Sequence, residues 1–356
     1  MADLFEPLTV GAWTLPNRLV MAPLTRNRAR GTVPGELAAQ YYAQRASAGL
    51  IITEGTQPSA RGQGYLDTPG LHSADQVAGW RQVADAVHAR DGRIVAQLMH
   101  AGRVAHPDNT GGQEIIAPSA LAAPGEMVTA SGPKPHPVPR ALRTDEMPDV
   151  VEEFVSAARN AVDAGLDGVE VHGANGYLLH QFLAPGSNQR DDEYGGSPEN
   201  RARLAVEVTR AVAAEIGAER VGLRISPAHN IQGATEDDPA DVEATYTALV
   251  RELAPVGLAY LSVLAQPRLE LVQHLRREFG GVLIANDGFG TPTTHAMAQA
   301  LLDEDVADAV AIGRLFLANP DLPQRWQLGT GLNQPDPATF YGGGAEGYTD
   351  YPALSA

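Results

Sequence analysis

The sequence predicts an α/β protein folded as a single (β/α)8 TIM barrel, with residues 1–356 forming one domain. Eight short apolar runs alternate with helical stretches along the 356-residue chain. Regular alternation at this length favours a closed barrel over an open doubly wound sheet. Several runs are apolar throughout, as is typical of strands covered on both faces. No Gly-x-Gly-x-x-Gly follows the first run, which disfavours a Rossmann sheet.

The predicted elements follow one another in a regular order. The predicted strands comprise residues 19–25, 50–55, 93–99, 168–171, 221–226, 259–263, 282–286 and 309–313. The predicted helices comprise residues 35–48, 73–90, 146–165, 200–216, 240–253, 268–279 and 293–302, with a last helix after Pro320. Glycines such as Gly49 and Gly165 stand where two of these helices end, a common position for this residue.

Two segments lie outside the repeat. Residues 9–15, with Gly11 and Ala12 between apolar pairs, predict a hairpin that closes the floor of the barrel. Residues 101–144, after the third strand, are rich in Pro and Gly and lack a helical period. A loop of this length in a compact domain is usually functional. We therefore expect a lid-like insertion on the face where barrel loops carry chemistry.

Composition restricts the class of protein. Hydrophobic residues make up 44% and charged residues 19% of the chain, which is a soluble globular composition. The net charge of −17 argues against nucleic acid and anionic membrane as partners. The N-terminus resembles no signal peptide, so a cytoplasmic location is expected. The absence of cysteine excludes disulfides, iron–sulfur clusters and a thiol nucleophile. No tight cluster of His and carboxylates is present, so we expect no metal site.

The stretch from Val171 to Phe182 places three polar side chains at the end of a predicted strand. His172 and Asn175 carry N–H donors, and Tyr177 carries an O–H group. Two donors and an acid at this place suggest a site that holds an oxygen and delivers a proton nearby. A capped turn, whose polar groups satisfy the backbone, explains the same residues equally well. Taken alone, the stretch leaves both interpretations open.

Polar or glycine residues also follow the other predicted strands. In a barrel, the carboxyl ends of the strands converge on one mouth. The residues at these ends are Thr25, Glu54, Gly55, Gln97, Met99, His100, His172, Asn175, Arg224, Asn286 to Gly288, Gly313 and Arg314. Each has an ordinary explanation, such as an ion pair between Arg224 and Glu170. As a set, they predict the walls of a polar site for a planar ligand.

The loops after the last two predicted strands indicate a phosphate pocket. Residues 286–290 and 312–314 are rich in small residues and end in Arg314. In barrels this is the usual place for a phosphate, and an arginine can fork onto its oxygens. A glycine turn beside a surface arginine is the alternative. Together with Thr25, Gln97 and Arg224, the loops predict flavin mononucleotide (FMN), with Arg224 stabilising the negative charge of the reduced ring.

The sequence resembles the Old Yellow Enzyme family of FMN-dependent ene-reductases in several long motifs. These are Ala22–Arg26, Gln40–Ala46, Gln97–His100, His172–Phe182, Ser187–Arg190, Tyr194–Ser197 and Asn200–Arg201. The segment Phe340–Tyr351 resembles the bacterial branch that contains N-ethylmaleimide, pentaerythritol tetranitrate and morphinone reductases. The resemblance covers most of the chain and implies a TIM barrel with tightly but non-covalently bound FMN.

The resemblance also implies roles for single residues. Positions that match FMN contacts are Pro23, Thr25, Gly55, Gln97, His172, Arg224, Asn286, Gly288, Gly313 and Arg314. His172 and Asn175 match the pair that binds the carbonyl or nitro oxygen of the substrate, and Tyr177 matches the proton donor. Other positions that match the wall of the substrate pocket are Tyr65, Met99, Gln232 and Tyr348. Met99 stands where several relatives have Trp, so a flexible thioether replaces a rigid wall.

The implied activity is ping-pong reduction of electron-poor C=C bonds by NADPH or NADH, with net trans addition of hydrogen. Candidate substrates are enones, enals, maleimides and nitroalkenes, with nitrate esters and nitroaromatic compounds as additional candidates. Phenol-like molecules are expected to bind as ligands. The natural substrate, the preferred nucleotide, the stereochemical outcome and the oligomeric state stay open.

Two other functions compete with this interpretation. A Schiff-base or metal-dependent aldolase would need a catalytic group such as lysine at a strand end, and none of the eight predicted ends supplies a lysine. A flavin-storage protein would need no acid beside the oxygen-binding pair, so the presence of Tyr177 next to His172 and Asn175 argues against it. The colour of the purified protein, and its bleaching by NADPH without oxygen, would discriminate among the three.

Overall fold

The computed structural model describes residues 2–290 and 292–354. The strands of this part of the chain are β1 (Leu8–Val10), β2 (Trp13–Leu15), β3 (Leu19–Met21), β4 (Leu50–Ile52), β5 (Ile94–Leu98), β6 (Ile116–Ala117), β7 (Glu126–Thr129), β8 (Gly132–Pro135), β9 (Arg140–Ala141), β10 (Gly168–Gly173), β11 (Val221–Ile225), β12 (Tyr260–Leu264), β13 (Leu283–Asn286) and β14 (Ala309–Ile312). The α-helices described there are α1 (Glu36–Gln44), α2 (Ala74–His88), α3 (Met147–Asp163), α4 (Leu178–Leu183), α5 (Pro198–Ile216), α6 (Pro239–Leu253), α7 (Glu270–Phe279), α8 (His295–Asp303), α9 (Arg314–Ala318) and α10 (Leu322–Leu328).

Eight of these strands form a closed barrel. Going around it, β3, β4 and β5 are followed by β10 to β14, and β14 pairs with β3. Every neighbouring pair is parallel. All residues of the eight strands are buried, because helices cover the outside and side chains fill the inside. The predicted TIM barrel is confirmed.

The N-terminal hairpin of β1 and β2 closes the floor of the barrel, as predicted. Val10, Trp13 and Leu15 are buried in an apolar cluster that also contains Tyr260, the first residue of β12. The backbone N–H of Ala12 donates to the carbonyl of Glu219, 2.9 Å away, just before β11. The hairpin therefore covers the amino ends of the strands and leaves the carboxyl ends free for the site.

Local signals explain where several helices begin and end. Ser73 and Gln76 form a capping box at the start of α2, in which each side chain accepts from the other residue's backbone N–H. Gly280 ends α7 in the left-handed conformation with φ of 69°. The helices α4 and α9 were not predicted. They directly follow strand-end residues and are too short to show a helical period.

The long segment after β5 is more ordered than its sequence indicates. It contains an antiparallel hairpin of β7 and β8 and a short parallel pair of β6 and β9. Met127 on β7 packs in an apolar cluster with Met99 and Tyr177, which lie at the carboxyl ends of β5 and β10. The segment is therefore a lid-like insertion on the predicted face. Among the described residues, the structure contains no helix that is both long and apolar enough to span a membrane.

Candidate active site

Adjacent strands place three polar side chains side by side at the mouth of the barrel. Gln97, the next-to-last residue of β5, pairs in register with Glu170 on β10. His172 on β10 pairs in register with Arg224 on β11. Gln97, His172 and Arg224 line a cavity of about 860 Å³, a size suited to a cofactor and a small ligand.

Most of the predicted site residues line this cavity. They are Pro23, Thr25, Gly55, Tyr65, Gln97, Met99, His172, Asn175, Tyr177, Arg224 and Arg314. They come from strand ends and loops that are far apart in the chain, and they meet because the strand ends converge.

Four other predicted residues lie next to residues of the lining. The side chain of Asn286 donates to the carbonyl of Ala311 and accepts from the N–H of Gly288, so it braces the loop after β13. Gly313 immediately precedes Arg314 at the start of α9. The side-chain amide of Gln232 donates to the carbonyl of Asn175 at 2.7 Å. These residues therefore support the groups that face the cavity.

The expectation that Tyr348 lines the pocket is corrected by the structure. Tyr348 is 1% exposed and stacks on Tyr41 with ring centroids 4.2 Å apart. The guanidinium groups of Arg26 and Arg28 lie 4.9 Å and 4.7 Å from its ring centroid. These cation–π contacts and the stacking hold Tyr348 inside the protein. The tyrosine of this segment that lines the cavity is Tyr341.

Sequence reasoning missed several other residues of the lining. They are Leu24, Asn27, Leu66, Asp67, Val128, Phe289, Leu317, Phe340, Tyr341 and Gly342. Phe340, Tyr341 and Gly342 belong to the motif at the end of the chain that carried part of the family resemblance. That motif was the available signal, but it does not show which of its aromatic side chains faces the ligand.

The inner end of the cavity contains buried polar atoms that need a ligand. Within residues 2–290 and 292–354, no group accepts from Nε or Nη1 of Arg224, and none pairs with Nδ1 of His172 or Oδ1 of Asn175. A buried polar atom without a hydrogen bond costs roughly 1–3 kcal/mol. A planar ligand with several hydrogen-bonding groups along one edge would satisfy these atoms, and FMN has such an edge.

Glu170 and Gln97 determine the electrostatic environment of Arg224. The amide of Gln97 donates to Oε1 of Glu170 at 2.7 Å. Burial raises the pKa of Glu170, and the nearby Arg224 opposes that rise. Burial likewise lowers the pKa of Arg224, while Glu170 opposes the change. Each group thus limits the pKa shift of the other across neighbouring strands. The guanidinium nitrogens Nε and Nη1 of Arg224 stay available to a ligand.

The loop from Gly173 to Tyr177 has a backbone that fixes its side chains. Asn175 has a φ of 59°, which Asn tolerates better than most residues, and its N–H donates to Oγ of Ser226 at 2.9 Å. Gly176 has a φ of 78°, and a Cβ there would lie 2.8 Å from the carbonyl of Ile231. Its N–H donates to Nδ1 of the buried His180 at 2.7 Å. The loop therefore presents Asn175 and Tyr177 to the cavity in one conformation.

Burial controls the protonation of the two titratable groups in this loop. The pKa of His172 lies well below its ordinary value because of burial, with smaller effects from Arg224 and His180. His172 is therefore neutral at pH 7 and has one N–H to donate. Burial raises the pKa of Tyr177, and hydrogen bonds from Tyr65 and Gln232 oppose that rise. Tyr177 is therefore protonated at pH 7.

The predicted phosphate end lies at the loops after β13 and β14. Gly288 has a φ of 97°, which favours glycine. Arg314 lines the cavity and donates through Nη2 to the carbonyl of Gly290 at 2.8 Å and to that of Phe289. These contacts hold the guanidinium against the loop after β13, beside the mouth of the cavity.

A closed barrel with its cavity at the strand ends, a buried arginine and a neutral histidine is the arrangement of a TIM-barrel protein with a ligand site at the carboxyl ends of its strands. The model of the NADH:flavin oxidoreductase / NADH oxidase family matches residues 3–333, and the chain belongs to this family. The expected membership of the Old Yellow Enzyme family and of the flavin-dependent enzymes is confirmed.

Individual relatives resemble the chain over almost its whole length. The putative 12-oxophytodienoate reductase 3 of Oryza sativa subsp. japonica is 42% identical over 99% of this chain and 92% of its own. The probable flavin mononucleotide-dependent alkene reductase of Leishmania infantum is 43% identical over 99% of this chain and 97% of its own.

Solved structures agree with the fold. Morphinone reductase in complex with tetrahydroNAD is 49% identical, with a TM-score of 0.94, covering 100% of this chain and 98% of that one. The old yellow enzyme homologue from Zymomonas mobilis is 43% identical, with a TM-score of 0.94, covering 99% and 100% of the two chains.

Proposed function

We propose that the protein is an FMN-dependent, NAD(P)H-dependent ene-reductase that reduces electron-poor C=C bonds. Enones, enals, maleimides and nitroalkenes are its expected substrates. The observation that carries the proposal is the placement of His172, Asn175 and Tyr177 together in one cavity with the unpaired nitrogens of Arg224. The relatives include a probable alkene reductase and a putative 12-oxophytodienoate reductase, which supports the same class of reaction.

The residues of the cavity fit FMN. Arg224 and Gln97 would hold the edge of the ring that becomes negatively charged, and Thr25 would lie beside them. Gly288, Gly313 and Arg314 would hold the phosphate. Gly55 leaves room next to Met99, because a Cβ at position 55 would lie 2.6 Å from the Met99 sulfur. When bound, the flavin supplies the two-electron hydride chemistry that no side chain of this cavity can provide.

His172 and Asn175 bind the activating oxygen of the alkene. The neutral imidazole of His172 donates one hydrogen bond, and the side-chain amide of Asn175 donates another. These donors stabilise the negative charge that develops on the carbonyl or nitro oxygen during reduction. The β-carbon thereby becomes the more electrophilic end of the double bond. Because neither donor carries a full charge, the site favours neutral, polarised alkenes.

Tyr177 supplies the proton that completes the reduction. Its hydroxyl is protonated at neutral pH, so it can act as a general acid toward the α-carbon. Delivery of this proton to the face of the alkene opposite the incoming hydride would give net trans addition of hydrogen. NADPH or NADH and the alkene use the same cavity in turn, which makes the kinetics ping-pong. The complex of morphinone reductase with tetrahydroNAD supports a nicotinamide reductant.

Colour and its reversible loss test the proposal directly. The purified protein should be yellow, and NADPH or NADH should bleach it in the absence of oxygen. Addition of 2-cyclohexenone or N-ethylmaleimide should restore the colour, with nitrate esters and nitroaromatic compounds as a second panel. A protein that bleaches but is not reoxidised by any member of either panel would be a flavin carrier instead.

Replacing His172 and Asn175 together by Ala tests the oxygen-binding pair. We expect weaker binding of phenol-like ligands, because two hydrogen bonds to the ligand oxygen are lost, each worth roughly 0.5–1.5 kcal/mol. Spectroscopic titration of the flavin with a phenol measures the change. His274→Ala is a suitable control, since His274 contacts Thr247 on the outer helices. An unchanged dissociation constant in the double variant would contradict the assignment.

A further inference from the structure

The hydroxyl groups of Tyr65 and Tyr177 meet inside the cavity. Their oxygens are 2.8 Å apart, although the residues are 112 positions apart in the chain. Their rings pack edge to face, with centroids 6.4 Å apart and an angle of 88° between the planes. Tyr65 follows β4 and Tyr177 follows β10, so only the closed barrel brings the two hydroxyls together.

Tyr65 is held firmly in this position. Its carbonyl accepts from Oγ1 of Thr68 at 2.9 Å and from the amide of Gln63 at 3.0 Å. Its ring packs against an apolar cluster that contains Met99 and Val104. The contact with Tyr177 is therefore built into the loop rather than made by a freely rotating side chain.

In the proposed reaction, Tyr177 must regain a proton after each turnover. Each turnover removes one proton from the Tyr177 hydroxyl, and burial disfavours the resulting tyrosinate. Tyr177 is 9% exposed, so water has little access to it. Tyr65 is partly exposed and touches the oxygen that must be reprotonated.

We propose that Tyr65 is a proton-relay residue, which reprotonates Tyr177 after each reduction. This inference rests on the proposed function. The O–H bond of Tyr65 breaks as the O–H bond of Tyr177 forms, and water or a buffer acid then returns a proton to the oxygen of Tyr65. One solvent proton enters per alkene reduced, and no electrons move in the relay.

Burial and the contact itself shift the pKa values of both hydroxyls. Burial raises the pKa of Tyr65, and its contact with Tyr177 raises it further. Burial also raises the pKa of Tyr177, but there the hydrogen bond with Tyr65 acts in the opposite direction. Either hydroxyl can donate in this contact. When Tyr177 has lost its proton, only Tyr65 can donate, and this hydrogen bond stabilises the negative oxygen of Tyr177.

Comparing single with multiple turnovers of the Tyr65→Phe holoenzyme tests the relay. In the first turnover Tyr177 already carries its proton, whereas every later turnover depends on reprotonation. We expect steady-state kcat to fall about 10²-fold further than the single-turnover rate of alkene reduction, at the lower end of general acid–base effects. Imidazole buffer should partly restore kcat in the variant, because a small acid replaces the missing hydroxyl.

Two comparisons make the result decisive. Tyr194→Phe removes a hydroxyl that donates to Glu207 outside the cavity, and it should show neither the extra loss of kcat nor rescue by imidazole. Equal losses in single and multiple turnovers of Tyr65→Phe would assign Tyr65 a positioning role, and no loss would assign it none. Either result overturns the relay. If Tyr177→Phe itself has no effect on alkene reduction, the proposed function loses its proton donor instead.

Discussion

Burial, rather than residue type, sets the protonation of the two groups on which the proposed chemistry depends. An exposed histidine titrates near pH 6.5, but His172 is 3% exposed and lies beside Arg224, so its pKa is strongly lowered. An exposed tyrosine is already protonated at pH 7, and burial of Tyr177 extends that state to higher pH. Both groups therefore keep one form throughout the physiological range.

Replacing Tyr177 by Phe should separate the two halves of the reaction. The variant retains the ring that packs against His172, with centroids 5.4 Å apart, but it lacks the acidic proton. Alkene reduction should slow by roughly 10²- to 10⁴-fold, the usual contribution of general acid catalysis. Stopped-flow spectroscopy measures reoxidation by alkene against bleaching by NADPH. A loss of the same size in both phases would contradict the role of Tyr177 as proton donor.

At the scale of elements, two arginines from the loop after β3 bind the segment of residues 339–347, which forms part of the cavity wall. Nε of Arg26 donates to the carbonyl of Phe340 at 2.9 Å, and Nη2 donates to that of Gly347 at 2.6 Å. Arg28 donates to the carbonyls of Thr339, Gly344 and Glu346. Phe340 and Tyr341 line the cavity. The contacts with Arg26 and Arg28 therefore hold this outer wall of the cavity against the loop after β3.

Arg28→Ala should loosen this wall. It removes five charged hydrogen bonds to carbonyls, four of them to residues 339–346, and a cation–π contact with Tyr348. We therefore expect a loss of about 1–3 kcal/mol in local stability. Hydrogen exchange of residues 340–351 should become faster, and KM for alkenes should rise. Arg30→Ala, at a nearby exposed position, is the control. Unchanged exchange in this segment would contradict the clamping role.

The loop after β4 carries a buried carboxyl whose titration should affect stability. Burial raises the pKa of Glu54 to about 7 from 4.5, and the hydrogen bond from the Arg26 N–H, 3.0 Å long, opposes this rise. The folded protein thus holds a proton between pH 4.5 and 7 that the unfolded chain releases. The stability associated with this proton is present below pH 4.5 and is lost as pH rises through 7.

Glu54→Gln, which stays neutral, should therefore gain stability relative to the wild type as pH rises from 5 to 8. The shift corresponds to a gain of up to roughly 3 kcal/mol. Urea unfolding of the FMN-saturated proteins at both pH values measures it. Glu243→Gln, at an exposed position on α6, should show no such trend. A difference between Glu54→Gln and the wild type that does not change with pH would contradict the raised pKa.

At the scale of the whole molecule, the cavity couples the cofactor to the stability of the barrel. FMN contacts are expected on or just after β3, β4, β5, β10, β11, β13 and β14, so a bound ligand would connect most of the circumference. Ligand at a hundredfold excess over Kd stabilises a protein by about 2.7 kcal/mol. Removal of FMN should lower Tm, and added FMN should restore it.

Riboflavin provides the matched comparison for the phosphate end. It lacks the phosphate, so it should stabilise the apoprotein less than FMN at equal concentration. Arg314→Ala should reduce the difference between the two ligands, as measured by thermal unfolding. If riboflavin and FMN stabilise the wild type equally, the phosphate assignment to Gly288, Gly313 and Arg314 is wrong.

Particular residues show how far the sequence predicts the structure. The eight barrel strands were located correctly, because runs that are apolar on both faces are a local pattern. Their ends were less accurate: the first strand was predicted to reach Thr25 but ends at Met21. Residues 22–25, which were predicted as strand, instead lie in a loop that forms part of the site. There, contacts with distant segments replace regular backbone pairing.

By itself, the sequence determined the barrel, the order of its strands and therefore the set of strand-end residues at one mouth, including Gln97, His172 and Arg224. These follow from periodicity and from the parallel connection of successive strands. Only the tertiary structure decided that Tyr341 rather than Tyr348 faces the cavity, and that Tyr65 touches Tyr177. It also decided that His172 is neutral. Such features depend on burial and on contacts between distant loops, which no local pattern of residues contains.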